Sequence, residues 1–148
     1  MPSLVGSEMC IRDRLKAARG AIVLTSSTAG LYGYPNRAPY AAAKWGIIGL
    51  MKTLAMEWGP EGVRANAICP GAVEGPRMQG VMEREAAAKG TDVQHIYDGY
   101  ASGTSMRSLV TAEDIANMAV FLCSAGARLV SGQVIAVDGH TENPDPKV

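Results

Sequence analysis

The sequence predicts a parallel α/β fold, and three observations carry that prediction. Three short, almost continuously apolar runs, AIVLTSS (Ala21–Ser27), VRANAICP (Val63–Pro70) and GQVIAVDG (Gly132–Gly139), have the form of strands buried on both faces. Segments with helical periodicity separate them. The runs lie too far apart for hairpins, and the strand–helix alternation is that of parallel units with right-handed crossovers.

Each element has its own signal. The first run ends in small hydroxyl residues and gives way to GLYGYPNRAP, a loop by its glycines and prolines. From Tyr40 to about Trp58 the text is helical, with Ile47, Met51, Leu54 and Trp58 on one stripe at spacings of four, three and four, and Gly59-Pro60 stops it. Pro70-Gly71 ends the second run. GPRMQGVMEREAAAKG predicts a short amphipathic helix ending at Gly90, and DVQHIYDGYA a second. Thr-Ala-Glu-Asp at Thr111–Asp114 has capping-box form and opens a helix with Ile115, Met118, Ala119 and Leu122 on one face. The ending HTENPDPKV is polar and proline-bearing, and is expected at the surface or disordered.

The totals narrow the function classes. The 148 residues suit one domain, 47% are hydrophobic and 19% charged, and 14 basic residues balance 14 acidic ones. The charges are scattered singly, so no stripe predicts nucleic acid, and no apolar run approaches the roughly 20 residues needed to span a bilayer. Cys10, Cys69 and Cys123 are odd in number and far apart, without metal-ligand spacing. They read as small thiols in a reducing, cytoplasmic setting, with no metal site.

Candidate chemistry gathers at Ser27, Tyr40 and Lys44. Residues i and i+4 share a helical face, so the Lys44 ammonium can sit beside the Tyr40 phenol and favour the phenolate. A phenol tuned in this way can exchange a proton with a carbinol oxygen. Ser27 closes the first strand at the edge where open α/β sheets place ligand-contacting groups. Each piece alone is weak, since an ordinary helix-surface pair and a strand-end turn would look the same.

Together they are specific. GAIVLTSSTAGLYGYPNRAPYAAAKWGIIGL closely resembles the Ser/Tyr/Lys block of the short-chain dehydrogenases/reductases, with the serine thirteen positions before the tyrosine. GPEGVRANAICPGAVEGPRM, SMRSLVTAEDIANMAVFLCS and SGQVIAVDGH continue the resemblance in the right order, over about Leu15 to Gly139. The resemblance implies an NAD- or NADP-dependent oxidoreductase moving hydride between nicotinamide and a small alcohol or carbonyl substrate. Its fold would be part of a Rossmann-like three-layer sandwich, with the C-terminal parallel strands and flanking helices present and the N-terminal half of the sheet missing. Carried over, Tyr40 is the general acid/base, Lys44 assists it and bonds the nicotinamide ribose, and Ser27 orients the substrate carbonyl. Pro70 and Gly71 shape the loop under the nicotinamide, and the backbone of Val73 holds its carboxamide. The Tyr40–Lys44 spacing speaks against the enoyl-reductase variants, which separate the pair further. The family also implies a homodimer or homotetramer.

Two departures stand out. Gly75 occupies the place where the family often has threonine, and the last strand ends VDGH, which makes His140 a solvated turn residue in this reading. Cys69 is read as a core residue. No glycine-rich strand–turn–helix precedes the catalytic block. The opening Leu4–Arg14, LVGSEMCIRDR, shows no helical stripe and translates one frame of a common sequencing-library adaptor without a mismatch. Residues 1–14 are therefore expected to be a non-native leader, 15–139 the C-terminal part of a single domain, and 140–148 a polar tail. On this reading the chain is a truncated, inactive piece of an enzyme. The alternative is a non-enzymatic remnant acting as an oligomerisation or interaction module. Substrate identity is expected to reside in Glu74 to about Met106, with Met78, Met82, Ile96 and Tyr97 as wall residues.

Overall fold

The computed structural model describes residues 4–144, with side chains from Cys10 onward. Three parallel strands, β1 (Ala21–Thr25), β2 (Arg64–Pro70) and β3 (Val134–Val137), form one sheet in the order β1-β2-β3. Ala21 pairs with Arg64 and Thr25 with Ile68, while Ala67 pairs with Val134 and Pro70 with Val137. The central strand is the most deeply buried, from Ala65 through Pro70. β1 has β2 as its only strand neighbour among the described residues, and its side chains are only half-buried.

Helices flank the sheet: α1 (Leu4–Ala18), α2 (Ala38–Trp58), α3 (Pro76–Lys89), α4 (Val93–Ser102) and α5 (Ala112–Cys123). The α2 stripe read from the sequence is the packed one. Met51 is fully buried against Ala65 and Ala67, with Ile22, Leu24, Leu54 and Val134 around it. α5 packs on all three strands with Leu122 buried. It begins in the expected capping box, where the Thr111 N–H donates to Asp114 Oδ2 at 2.8 Å and the Asp114 N–H donates to Thr111 Oγ1 at 3.2 Å. α3 and α4 form a hairpin with a small core of its own, Met82, Ala86 and Ile96. Asn66, buried in β2, fixes the approach to β3 by donating to Val130 O at 2.9 Å and accepting from the Gln133 N–H at 3.1 Å. Among the described residues no helix is long and apolar enough to cross a membrane.

Two stretches carry more structure than their sequence announces. Leu4–Arg14 is helical, and α1 runs without a break past residue 14 to Ala18. Helix-forming residue types carry it in place of an apolar stripe. It stops where Arg19 turns left-handed at φ 48° and the Gly20 N–H bonds to Leu15 O at 2.8 Å. The stretch from His140, expected at the surface or disordered, lies at the surface and is held there by its backbone. The Glu142 and Asn143 N–H groups both bond to Gly103 O, at 2.9 and 3.0 Å, and Thr141 bridges Thr104. The remainder of that expectation, residues 145–148, lies outside the described residues.

Candidate active site

The carboxyl ends of β1 and β2 and the start of α2 build the site. Beyond Thr25 the chain makes a tight turn through Ser26 and Ser27 into a 3-10 turn, Thr28–Gly30. Alternation sends the two serines different ways. Ser26 is buried, and its Oγ donates to the Lys44 carbonyl at 2.8 Å, which ties the strand end to α2. Ser27 caps the 3-10 turn, its Oγ accepting from the Ala29 N–H at 3.2 Å, so its hydroxyl proton remains to donate elsewhere. The close approach requires Gly30: a Cβ there would lie 2.5 Å from Ser26 Oγ and 3.0 Å from the Lys44 carbonyl.

α2 opens at Ala38-Pro39, with Tyr40 in its first turn and Lys44 one turn further. Lys44 Nζ lies 5.6 Å from the centroid of the Tyr40 ring and donates to Thr25 O at 3.2 Å. The cation therefore joins the phenol to the end of β1. Tyr40 is 45% exposed, accessible to a substrate.

Pro70 is the last residue of β2, and the Gly71 N–H bonds to Val137 O at 3.0 Å. A Cβ on Gly71 would come within 2.9 Å of Asp138 Cβ, so glycine lets the turn lie flat on the end of β3. Next, Val73 forms a parallel bridge with Val110. The bridge uses Ala72 O and the Glu74 N–H, at 3.0 and 2.8 Å, so the peptide groups of Val73 itself face the other way. Asp138, buried, accepts from the His140 N–H, the Thr141 N–H and Thr141 Oγ1 at 3.0, 3.1 and 2.6 Å. Tyr32 Oη donates to Thr141 O at 3.4 Å and brings this turn to the catalytic block. His140 Nδ1 meets Ser105 Oγ at 2.8 Å, an exposed turn contact.

A cleft of about 330 Å³ opens beside this loop, lined by Glu74, Gly75, Gln79, Met82 and Tyr97. Of the residues expected to form a substrate wall, Met82 and Tyr97 line this cleft. Ile96 is fully buried in the α3–α4 core and is no wall residue, and Met78 packs against that same core. Burial pushes the Cys69 thiol up, with the Asp138 carboxylate acting in the same sense, and the residue sits in the core. The positioning parts that pattern reading passed over are Ser26, Gly30 and Asp138. Their signal is contact across the fold, which spacing along the chain does not carry.

The family profile described as Enoyl-(Acyl carrier protein) reductase matches residues 6–140. The 3-oxoacyl-(acyl-carrier-protein) reductase FabG of Chlamydia muridarum is 37% identical over 129 residues, 87% of this chain and 48% of that protein. L-sorbose reductase of Gluconobacter frateurii, solved with NADPH and L-sorbose, superposes with a TM-score of 0.81 at 26% identity, over 88% of this chain and 50% of that one. A 4-hydroxyisoleucine dehydrogenase complexed with NADH superposes at 0.67 with 28% identity, over 93% and 55%. The chain spans about half the length of the curated relatives it matches. With the family profile matching residues 6–140 and relatives similar over most of its length, the chain belongs to the short-chain dehydrogenase/reductase family.

Proposed function

We propose that this chain carries the proton-transfer half of an NAD- or NADP-dependent alcohol/ketone oxidoreductase. Tyr40 is its general acid/base, Lys44 its supporting cation and Ser27 its substrate-orienting hydroxyl. One observation carries the reading: Lys44 Nζ lies beside the Tyr40 ring while bonded to the end of the strand that leads to Ser27. The activities named for the relatives above, together with the four-residue Tyr–Lys spacing, favour a ketone or alcohol over the enoyl substrate in the family profile's description.

The residues present fit the nicotinamide end of the cofactor. Val73 offers peptide groups not used by its bridge, Pro70-Gly71 lies flat against β3, and Lys44 presents ammonium donors. When bound, the dinucleotide supplies the hydride acceptor or donor. For ketone reduction, Ser27 donates its hydroxyl proton as a hydrogen bond to the substrate oxygen, and Tyr40 Oη delivers a proton to that oxygen as charge builds there. Lys44 then offsets the charge left on the phenol oxygen. A glycine-rich strand–turn–helix for the pyrophosphate has no counterpart among the described residues, and the test below supplies one by fusion. A homodimer or homotetramer in the cytoplasm completes the reading.

The second reading, a non-enzymatic interaction module, rests on the apolar side chains α2 leaves outside, with Met56 80% and Trp45 52% exposed. One experiment separates the two. The full chain, alone and fused to the amino-terminal half of the 3-oxoacyl reductase, is assayed for nicotinamide binding and ketone-dependent cofactor oxidation. Turnover by the fusion that disappears in Tyr40→Phe supports the first reading. A folded, cofactor-binding fusion whose turnover survives Tyr40→Phe overturns it, and a stable oligomer of the chain without turnover by the fusion favours the second.

A further inference from the structure

The geometry points to the substrate class: the cleft beside Val73 takes a small alcohol or ketone bearing further hydrogen-bond donors, hydroxyl or ammonium, and Glu74 selects for them. This rests on the oxidoreductase reading for the word substrate, but the binding claim stands on the cleft itself. Tyr97 Oη donates to Glu74 Oε1 at 3.0 Å, and the phenol is raised above its ordinary value first by that bond, so it stays protonated and keeps donating. The donor on the wall is thus spent on holding the carboxylate. Gln79 Nε2 spends one of its two N–H groups on Glu83 Oε1 at 3.0 Å, and its amide oxygen remains an acceptor. Of the side chains lining the cleft, Glu74 carries a negative charge and none is basic.

A cavity whose lining carries one carboxylate and no cation, with the Tyr97 hydroxyl and one Gln79 N–H already engaged, is complementary to a ligand rich in O–H or N–H⁺ groups. It is mismatched to a carboxylate or phosphate, which would meet the Glu74 charge. Met82 supplies the apolar floor for the carbon skeleton. At about 330 Å³ the cleft is at the small end of ligand pockets, of a size for a polyol or amino alcohol. Position supports the assignment, because Glu74 directly follows Val73 and its own N–H closes the Val73–Val110 bridge, which fixes the cleft beside the loop assigned to the nicotinamide in the proposed function. The opposing feature is the first turn of α3. Its N-cap, Gly75, contributes no side-chain bond, and its amides would favour an anion.

The test uses the full chain without cofactor, labelled at its methionine methyl groups, and follows the Met82 resonance by NMR. The probes are 1-amino-2-propanol, glycerol and lactate. The expected result is a saturable Met82 shift with the amino alcohol and with glycerol, little with lactate, and a loss of affinity of about tenfold in Glu74→Gln for the amino alcohol. Tyr97→Phe, which frees the carboxylate, should weaken both donor-bearing probes by a smaller factor. The proposal is overturned if lactate moves Met82 as strongly, if Glu74→Gln binds both donor-bearing probes unchanged, or if neither of them gives a saturable shift. Because no turnover is read, failure here leaves the oxidoreductase reading standing, and failure of hydride transfer leaves this result standing.

Discussion

The β1–α2 block and the α3–α4 hairpin are held by different forces. In the block, side chains bond to backbone across the fold: Ser26 Oγ to Lys44 O and Lys44 Nζ to Thr25 O, over a core in which Met51 is fully buried. In the hairpin, side chains bond to side chains, Tyr100 to Glu85 and Glu85 to Lys89, around a separate small core. The hairpin joins the sheet through the Val73–Val110 bridge and the strap from Gly103 to Thr141–Asn143. Proton transfer tolerates little misplacement, and the groups proposed for it sit on the shared core. In the proposed function, substrate selection falls to an element that can be rebuilt without disturbing that core.

The strongest attempt to break this contrast is Tyr40→Phe. In the fusion described above it should lower turnover by about 10³-fold, within the range for a lost general acid. Because the ring is half exposed, the thermal midpoint of the chain should stay within a degree or two of the parent. Met51→Ala comes next, with an expected loss of about 2–5 kcal/mol read from denaturant unfolding of the whole chain. Met82→Ala in the hairpin should instead speed amide exchange across residues 76–102 ahead of β2. Equal, global losses from both would show that the two regions share one core. Gly30→Ala is smaller, about 1–3 kcal/mol, because its methyl group must displace Ser26 Oγ or the α2 backbone. Its turnover should fall with its stability, as Lys44 is held by the same contact.

Much of the block was legible in the chain and much of the hairpin was not. Continuous apolar runs announce buried strands, the i, i+4 pair announces Tyr40 beside Lys44, and Thr111–Asp114 announces its own cap. Ile96 illustrates the opposite case. An apolar residue on a ten-residue helix shows that something is buried, but the partner it finds, here α3 rather than the cleft, is set by tertiary packing. Residues 140–143 looked loose because their side chains are polar, yet backbone N–H and C=O groups hold them, and these leave no mark in composition. α1 was unreadable for a further reason. A helix carried by propensity, without a single apolar stripe, offers no periodicity to detect.

The subtlest contrast is in pH. Lys89 first, and then Tyr100, hold the Glu85 carboxyl below its ordinary value near 4.5. Its contribution to the hairpin is therefore full above that value and is lost as pH falls through the lower, folded-state value. Tyr100 runs the other way. Burial first, then the bond to Glu85, pushes its phenol up to about 12 from an ordinary 10. Its contribution is full below pH 10 and is lost as pH rises towards about 12. Amide protection across α3 and α4, taken relative to the intrinsic exchange rate at each pH, should thus be highest on a plateau between the two limbs. Glu85→Gln should flatten the acid limb by the few tenths of a kcal/mol typical of an i, i+4 ion pair, and Tyr100→Phe should flatten the alkaline one. α5 supplies the internal control, since the backbone N–H of Thr111 holds Asp114 low as well, and its first turn should still fray in acid when Glu85 is gone. If Glu85→Gln also protected α5, the hairpin would be coupled to the sheet, and the separation between proton transfer and substrate selection would fail with it.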